Sequence, residues 1–278
     1  MPRCRVCFRN CEIPEGGLGF CGARTCREGK VIADNYGRIT GAALDPIEKK
    51  PLNRFYPGST ILSIGSYGCN LRCPFCQNSD ISWSERAFSF RDELGVTSPE
   101  RIADMAEGCA DRGNIGVAYT YNEPLVGYEY VRDTALLVKE RGMKNVMVTN
   151  GTASTEVLDE LLVLIDAMNI DLKGFSSDSY GKILGGSFEM TKAFIEKAAS
   201  YCHVELTTLV VPGINDSPEE MDELCSWIAG IRRDIPLHIS RFFPRFHMKD
   251  RPATDVELIY SLADLAREKL DYVYTGNC

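Results

Sequence analysis

The sequence predicts an α/β fold built on a parallel sheet, and three observations carry that expectation. Six apolar runs of strand length recur after residue 60. Amphipathic segments with recognisable helix starts separate them. The first 58 residues, by contrast, are rich in Cys, Gly and Pro and show no long helical pattern. Alternating strand and helix implies right-handed crossovers and parallel strands. Six units are too few for a closed eight-stranded barrel and suit an open or partial one. A doubly wound sheet fits the same pattern. The chain is therefore divided into a Cys-rich segment, 1–58, and a larger domain, 59–278.

Taken in order, the first strand is expected at Ile61–Ser66. Ser98-Pro99 supplies an N-cap followed by Pro at the first helical position. Further strands are expected at Asn114–Tyr119, Asn145–Thr149, Ala167–Leu172, Val204–Val211 and Leu237–Phe242. Ser217-Pro218-Glu219-Glu220 and Thr254-Asp255-Val256-Glu257 read as capping boxes. Met221, Leu224, Cys225 and Ile228 fall at i, i+3, i+4 and i+7, which makes one buried helix face.

Composition excludes several classes. Among 278 residues, 31 Lys and Arg stand against 39 Asp and Glu, a net charge of −8. That balance argues against a nucleic-acid-coating surface. No run of 18 apolar residues is present to span a membrane. Met1-Pro2-Arg3-Cys4-Arg5 leads into cysteines rather than an apolar secretory run, so the expected location is the cytoplasm.

Twelve cysteines are the sharpest compositional feature. A reducing cytosol makes disulfides a poor explanation, and grouped cysteines there point to metal or redox chemistry. One group is Cys69, Cys73 and Cys76, in C-x3-C-x2-C spacing directly after the first expected strand. Three thiolates cannot saturate a four-iron cluster, which normally takes four, so one iron is left for a non-protein ligand. A three-Cys zinc site with a distant fourth ligand is the plain alternative.

The loop Tyr67-Gly68-Cys69-Asn70-Leu71-Arg72-Cys73-Pro74-Phe75-Cys76 resembles the motif of the radical S-adenosylmethionine (SAM) enzymes. Flanking segments extend the likeness over nearly the whole chain. They are Asp45-Pro46-Ile47-Glu48-Lys49-Lys50-Pro51-Leu52, Tyr119-Thr120-Tyr121-Asn122-Glu123-Pro124, Val148-Thr149-Asn150-Gly151, Asn169-Ile170-Asp171-Leu172-Lys173 and Val211-Pro212-Gly213-Ile214-Asn215-Asp216. Together they are similar to the radical SAM member of the AmmeMemoRadiSam system, itself similar to pyruvate formate-lyase activating enzymes.

That resemblance implies a partial (β/α)6 TIM-like barrel. It implies a [4Fe-4S] cluster on Cys69, Cys73 and Cys76, with SAM bound by Phe75, Asn122, Glu123, Thr149, Asn150, Asp171 and Lys173. Glu123 would accept from the SAM amino group, Lys173 would meet its carboxylate or ribose, and Asp171 would hold Lys173 or a cation. The local alternatives are turns at Asn122-Glu123-Pro124 and Asn150-Gly151 and a structural Asp171–Lys173 ion pair. The implied activity is reductive cleavage of SAM to a 5′-deoxyadenosyl radical that abstracts hydrogen from a substrate. Implied partners are an electron donor such as flavodoxin or ferredoxin, and either a partner enzyme's backbone glycine or AMMECR- and MEMO-type proteins. A non-catalytic iron–sulfur electron carrier or metal scaffold is the alternative outside enzymology.

The second cysteine group is Cys4, Cys7, Cys11 and Cys21, with Cys26 as a replacement fourth ligand. Four thiolates close a site and suit zinc or an auxiliary [4Fe-4S] cluster. Cys109 and Cys225 read as core residues on helix faces. His238 reads as a satisfied interior residue, His247 is left open, and Arg241 is either an anion ligand or a stacked side chain.

Overall fold

The structure is a computed structural model and describes residues 1–278. Ten strands form in chain order. They are β1 (Arg24–Arg27), β2 (Lys30–Ala33), β3 (Gly41–Pro46), β4 (Thr60–Gly65), β5 (Asn114–Tyr119), β6 (Lys144–Thr149), β7 (Ala167–Asp171), β8 (His203–Val210), β9 (Leu237–Arg241) and β10 (Val273–Gly276). The helices are α1 (Ser79–Ser82), α2 (Glu85–Glu93), α3 (Pro99–Glu107), α4 (Tyr128–Glu140), α5 (Thr155–Leu162), α6 (Phe188–Ala199), α7 (Pro218–Ile231) and α8 (Val256–Arg267).

β1 and β2 make a small antiparallel hairpin, and the other eight strands form one sheet ordered β10-β9-β8-β7-β6-β5-β4-β3. β4 to β10 are parallel, and only β3 runs against its neighbour. The edge strands β3 and β10 are not paired with each other, so the barrel is partial and open between them. The six expected strands are β4 to β9. β10 adds a seventh parallel strand, and β3 adds an antiparallel edge from within residues 1–58.

Local chemistry explains the crossovers. The Ser98 hydroxyl accepts from Arg101 N, and Pro99 opens α3. Met221, Leu224, Cys225 and Ile228 are all buried on one face of α7. Two caps differ from the sequence reading. Glu220 accepts from Phe175 N at 2.6 Å instead of reaching back to its own N-cap. Asp255, not Thr254, caps α8, while the buried Thr254 hydroxyl donates to Val210 O at 2.7 Å. Cys109 lies past the end of α3, at the start of a short 3-10 turn, rather than on a helix face.

A strap joining β3 to β4 crosses the barrel interior and forms its floor. Ile47 and Leu52 are fully buried with Ile61, Ala118, Val146 and Ala167. Asn169 Nδ2 donates to Pro51 O at 2.9 Å, and the Glu205 carboxylate accepts from Asn53 N at 3.0 Å and Arg54 N at 2.7 Å. The same carboxylate meets His203 Nε2 at 2.9 Å and His238 Nε2 at 2.6 Å. Burial alone would raise the Glu205 pKa, but the two imidazoles and the Arg54 amide outweigh it and hold it at about 2.

Because this pKa is lowered in the fold, Glu205 stabilises the protein above the ordinary carboxylate range and loses that effect as pH falls toward 2. A shift from 4.5 to about 2 corresponds to about 3 kcal/mol. In the metal-free protein, Glu205→Gln is expected to lower urea-unfolding stability most at pH 6. The gap to wild type should narrow by more than half by pH 3. A gap that stays constant over that range would contradict the ionic role of Glu205.

Candidate active site

The Cys69–Cys76 loop leaves the C-terminal end of β4, the edge at which α/β folds build their sites. Asn122, past the end of the neighbouring strand β5, holds its start. Asn122 Oδ1 accepts from Ser66 N at 3.0 Å, and its Nδ2 donates to Gly68 O at 3.1 Å. Tyr121, just before it, has a left-handed backbone (φ 72°), and its hydroxyl donates to Asp45 at 2.6 Å. On the far side, His247 N donates to Pro74 O at 2.9 Å, and the His247 and Phe246 rings pack on Trp83.

Glu123 ties β5 to β6. Its carboxylate is 3% exposed and accepts from Thr149 Oγ1 at 2.6 Å, Leu125 N at 3.0 Å and Asn150 N at 2.8 Å. Burial is the dominant influence and pushes its pKa up to about 7 against the pull of those donors, with Asp171 adding to the rise. Asn150 Nδ2 in turn donates to Asn70 Oδ1 at 2.9 Å and lies 3.8 Å from the Cys69 sulfur.

Lys173 Nζ meets Asp171 at 2.7 Å. Burial, the largest influence on Lys173, lowers its pKa, yet Asp171 and Cys73 outweigh it and hold the ammonium above its ordinary value. Lys173 therefore enters the site as a cation.

These residues meet in a cavity of about 580 Å³. Cys69, Cys73, Phe75, Cys76, Asn122, Glu123, Asn150, Asp171 and Lys173 all line it, and the strap forms part of its wall through Pro51 and Asn53. Thr149 stands behind the wall, bonded to Glu123. Sequence reasoning missed the side supplied by β8 to β10, where Thr207, Leu209, His238, Ser240 and Tyr274 face the same space. His238 is not merely interior: besides its Glu205 bond it stacks on Tyr274 at 5.1 Å. The signal was the two-residue spacing of Thr207 with Leu209 and of His238 with Ser240, which puts each pair on one face of its strand. Arg241 does not line the cavity. It donates to Thr254 O at 2.6 Å and stacks over Phe243 at 4.8 Å.

The donor set of the loop fits a cluster with three protein ligands. All three thiols are free and border the cavity. Leu71 N donates to the Cys69 sulfur at 3.4 Å, and Asn150 Nδ2 lies beside it, so N–H groups already point at the atom that would carry thiolate charge. Burial raises all three thiols, Cys73 to about 12, so bound metal must supply the positive charge that ionises them.

Residues 63–227 match the Radical SAM superfamily. Among curated relatives, an uncharacterized protein of Methanocaldococcus jannaschii is 40% identical over 282 residues, covering 99% of this chain and 81% of the relative. The pyruvate formate-lyase-activating enzyme of Clostridium pasteurianum is 28% identical over 168 residues, covering 59% of this chain and 68% of the relative. Among solved structures, Streptococcus suis SuiB bound to S-adenosylmethionine aligns with a TM-score of 0.60 at 14% identity. That alignment covers 76% of this chain and 48% of SuiB, a likeness of fold. No helix is long and apolar enough to cross a membrane.

The Thr149 hydroxyl is the shortest of the three donors to a buried carboxylate, and its loss leaves an acceptor partly unsatisfied. Thr149→Val is expected to lower unfolding free energy by about 1–3 kcal/mol, with Thr149→Ser restoring most of it. Equal stability of the Val and Ser variants in urea titrations would show that the hydrogen bond contributes nothing.

Proposed function

This chain belongs to the radical SAM superfamily, and from that premise we propose that it cleaves SAM reductively and abstracts hydrogen from a substrate held in the same cavity. The family implies SAM and a [4Fe-4S] cluster. The observation that carries the proposal is the convergence of Cys69, Cys73 and Cys76 with Glu123, Asn150, Asp171 and Lys173 on one cavity. An electron carrier or metal scaffold has no use for that second set.

Cys69, Cys73 and Cys76 would hold the cluster, which when bound would supply the electron for reductive cleavage of SAM to a 5′-deoxyadenosyl radical. The chain's own residues bind and orient. A carboxylate offers about four lone-pair sites. Three of those on Glu123 are used by Thr149, Leu125 and Asn150, which leaves one for the SAM ammonium. Lys173, aimed by Asp171, meets the SAM carboxylate or ribose, and Phe75 gives an apolar contact. The side made by Thr207, His238, Ser240 and Tyr274 is left for substrate.

A second reading is activation of a glycyl-radical enzyme. The Clostridium pasteurianum relative is named for activating pyruvate formate-lyase, and the edges of β3 and β10, unpaired with each other, leave a side through which a peptide loop could enter. The AmmeMemoRadiSam reading, with AMMECR- and MEMO-type partners, rests on the ordered motifs from Asp45 to Asp216. Either reading takes an electron from a donor such as flavodoxin or ferredoxin.

Two experiments test the proposal. The anaerobically reconstituted, reduced protein is expected to convert SAM to 5′-deoxyadenosine and methionine. Cys69→Ala, Cys73→Ala and Cys76→Ala should each abolish this, and 5′-deoxyadenosine persisting in the triple variant would sink the assignment. For SAM contacts, Glu123→Gln and Lys173→Met should keep their iron yet bind SAM roughly ten- to over a hundred-fold more weakly. That range corresponds to about 1.5–3 kcal/mol for a hydrogen bond to a charged group. Unchanged SAM affinity in equilibrium binding would return both residues to a purely structural role.

A further inference from the structure

The N-terminal cysteines are not absorbed by the function above, and the fold brings four of them together. A tight turn through Asn10, left-handed at φ 45°, lets Cys4 N donate to Cys11 O at 2.9 Å. A second turn at Gly22 (φ 74°), closed by Gly22 N donating to Gly19 O at 2.9 Å, delivers Cys21. Cys4, Cys7, Cys11 and Cys21 line one small cavity, closed on one side by Asn70 of the Cys69 loop. Cys26 is excluded: it sits on β1 with its sulfur 3.5 Å from Glu15.

The geometry distinguishes occupants. A tetrahedral zinc ion needs four sulfurs about 2.3 Å from a single point. No three Cys, His, Asp or Glu side chains in this chain converge on one ion. The four thiols instead border one small cavity without meeting at a point, the arrangement by which thiolates hold the corners of a polynuclear cluster. Cys69, Cys73 and Cys76 share this arrangement.

The two cysteine groups are in direct contact. Cys69 N donates to Cys21 O at 3.2 Å. Gly68 is left-handed (φ 96°), and a Cβ there would lie 2.6 Å from Ala23 Cβ and 2.8 Å from Cys21 O, so only glycine permits the approach. Arg9 Nε donates to Asn70 O at 3.3 Å, and Arg72 stacks on Phe20 at 3.8 Å. None of residues 1–47 lines the larger cavity, so the segment is not a lid over it.

We propose that Cys4, Cys7, Cys11 and Cys21 hold a second [4Fe-4S] cluster that passes an electron across the Cys21–Cys69 contact to the site at Cys69, Cys73 and Cys76. The proposal rests on the reading of that site given above. One electron enters from a low-potential one-electron donor protein and one leaves to the Cys69 site. The second cluster returns to its starting state, and no bond or proton changes.

The test is metal analysis and electron paramagnetic resonance of the full chain, reconstituted anaerobically with iron and sulfide. Wild type is expected to carry about eight irons, four per cluster, and no zinc. Cys4→Ala/Cys7→Ala should keep about four, and Cys69→Ala/Cys73→Ala/Cys76→Ala, with its N-terminus intact, should also keep about four. The dithionite-reduced wild-type spectrum should show magnetic coupling, differing from the sum of the two variants' spectra. One zinc per wild-type chain that is lost in Cys4→Ala/Cys7→Ala would overturn the proposal, as would an iron-free triple variant or strictly additive spectra. Failure of the Cys69 reading looks different: the Cys4→Ala/Cys7→Ala variant would then be iron-free while the triple variant kept its iron.

Discussion

The site depends on one buried carboxylate. Glu123 is 3% exposed, and burying such a group is costly unless donors surround it. Those donors are the Thr149 hydroxyl and the Asn150 and Leu125 amides, so the ends of β5 and β6 are locked to each other. From this knot the Cys69 loop is held twice. Asn122, next to Glu123, bonds Ser66 and Gly68, and Asn150 bonds Asn70. Asn122 and Asn150, on either side of this carboxylate, thus grip the loop that carries the three thiols.

A second carboxylate solves the same burial problem with the opposite electrostatic outcome. Glu205 is fully buried below the cavity, yet it is held at about 2 where Glu123 is pushed up to about 7. Both accept backbone amides. Glu205 adds two imidazoles, which favour its charged form, whereas Glu123 has neutral donors and Asp171 nearby. One carboxylate is thus a fixed anion that pins the strap and His238. The other titrates near neutrality beside the proposed SAM ammonium, a cation that would favour its ionised form.

How much of this the sequence carries depends on where each residue's reason lies. Strands β4 to β9 were legible because a sheet buried on both faces writes long apolar runs. The cysteine loop and the Asp171–Lys173 pair were legible because their spacing is local. β3 and β10 were not read as strands, since each is an edge with partly exposed positions such as Ala42 and Tyr274. The strap was legible only as a stretch resembling the family, because the partners that bury Ile47 and Leu52 are supplied by distant strands. His238 and Glu205 meet across 33 residues of chain, a pairing no local pattern encodes. Glu220 looked like a capping residue by spacing, but the orphan amide of Phe175 competes for it and wins.

The arrangement of openings separates two traffic routes through the molecule. The sheet never closes, because β3 runs antiparallel at one edge and β10 ends the other, and the larger cavity is lined by β10 and by the strap that follows β3. The N-terminal segment packs elsewhere: Ser154 N donates to Val6 O at 2.8 Å, and Arg9 bonds the backbone at Gly185, both on loops that follow β6 and β7. The Cys69 loop therefore stands between the substrate-sized cavity and the second group of thiols. A radical enzyme benefits from that division. Substrate entry needs an opening that can be shaped to a particular ligand, whereas an electron needs only a short, rigid contact. For the proposed electron route, Gly68, pressed against Ala23 and the Cys21 carbonyl, supplies such a contact.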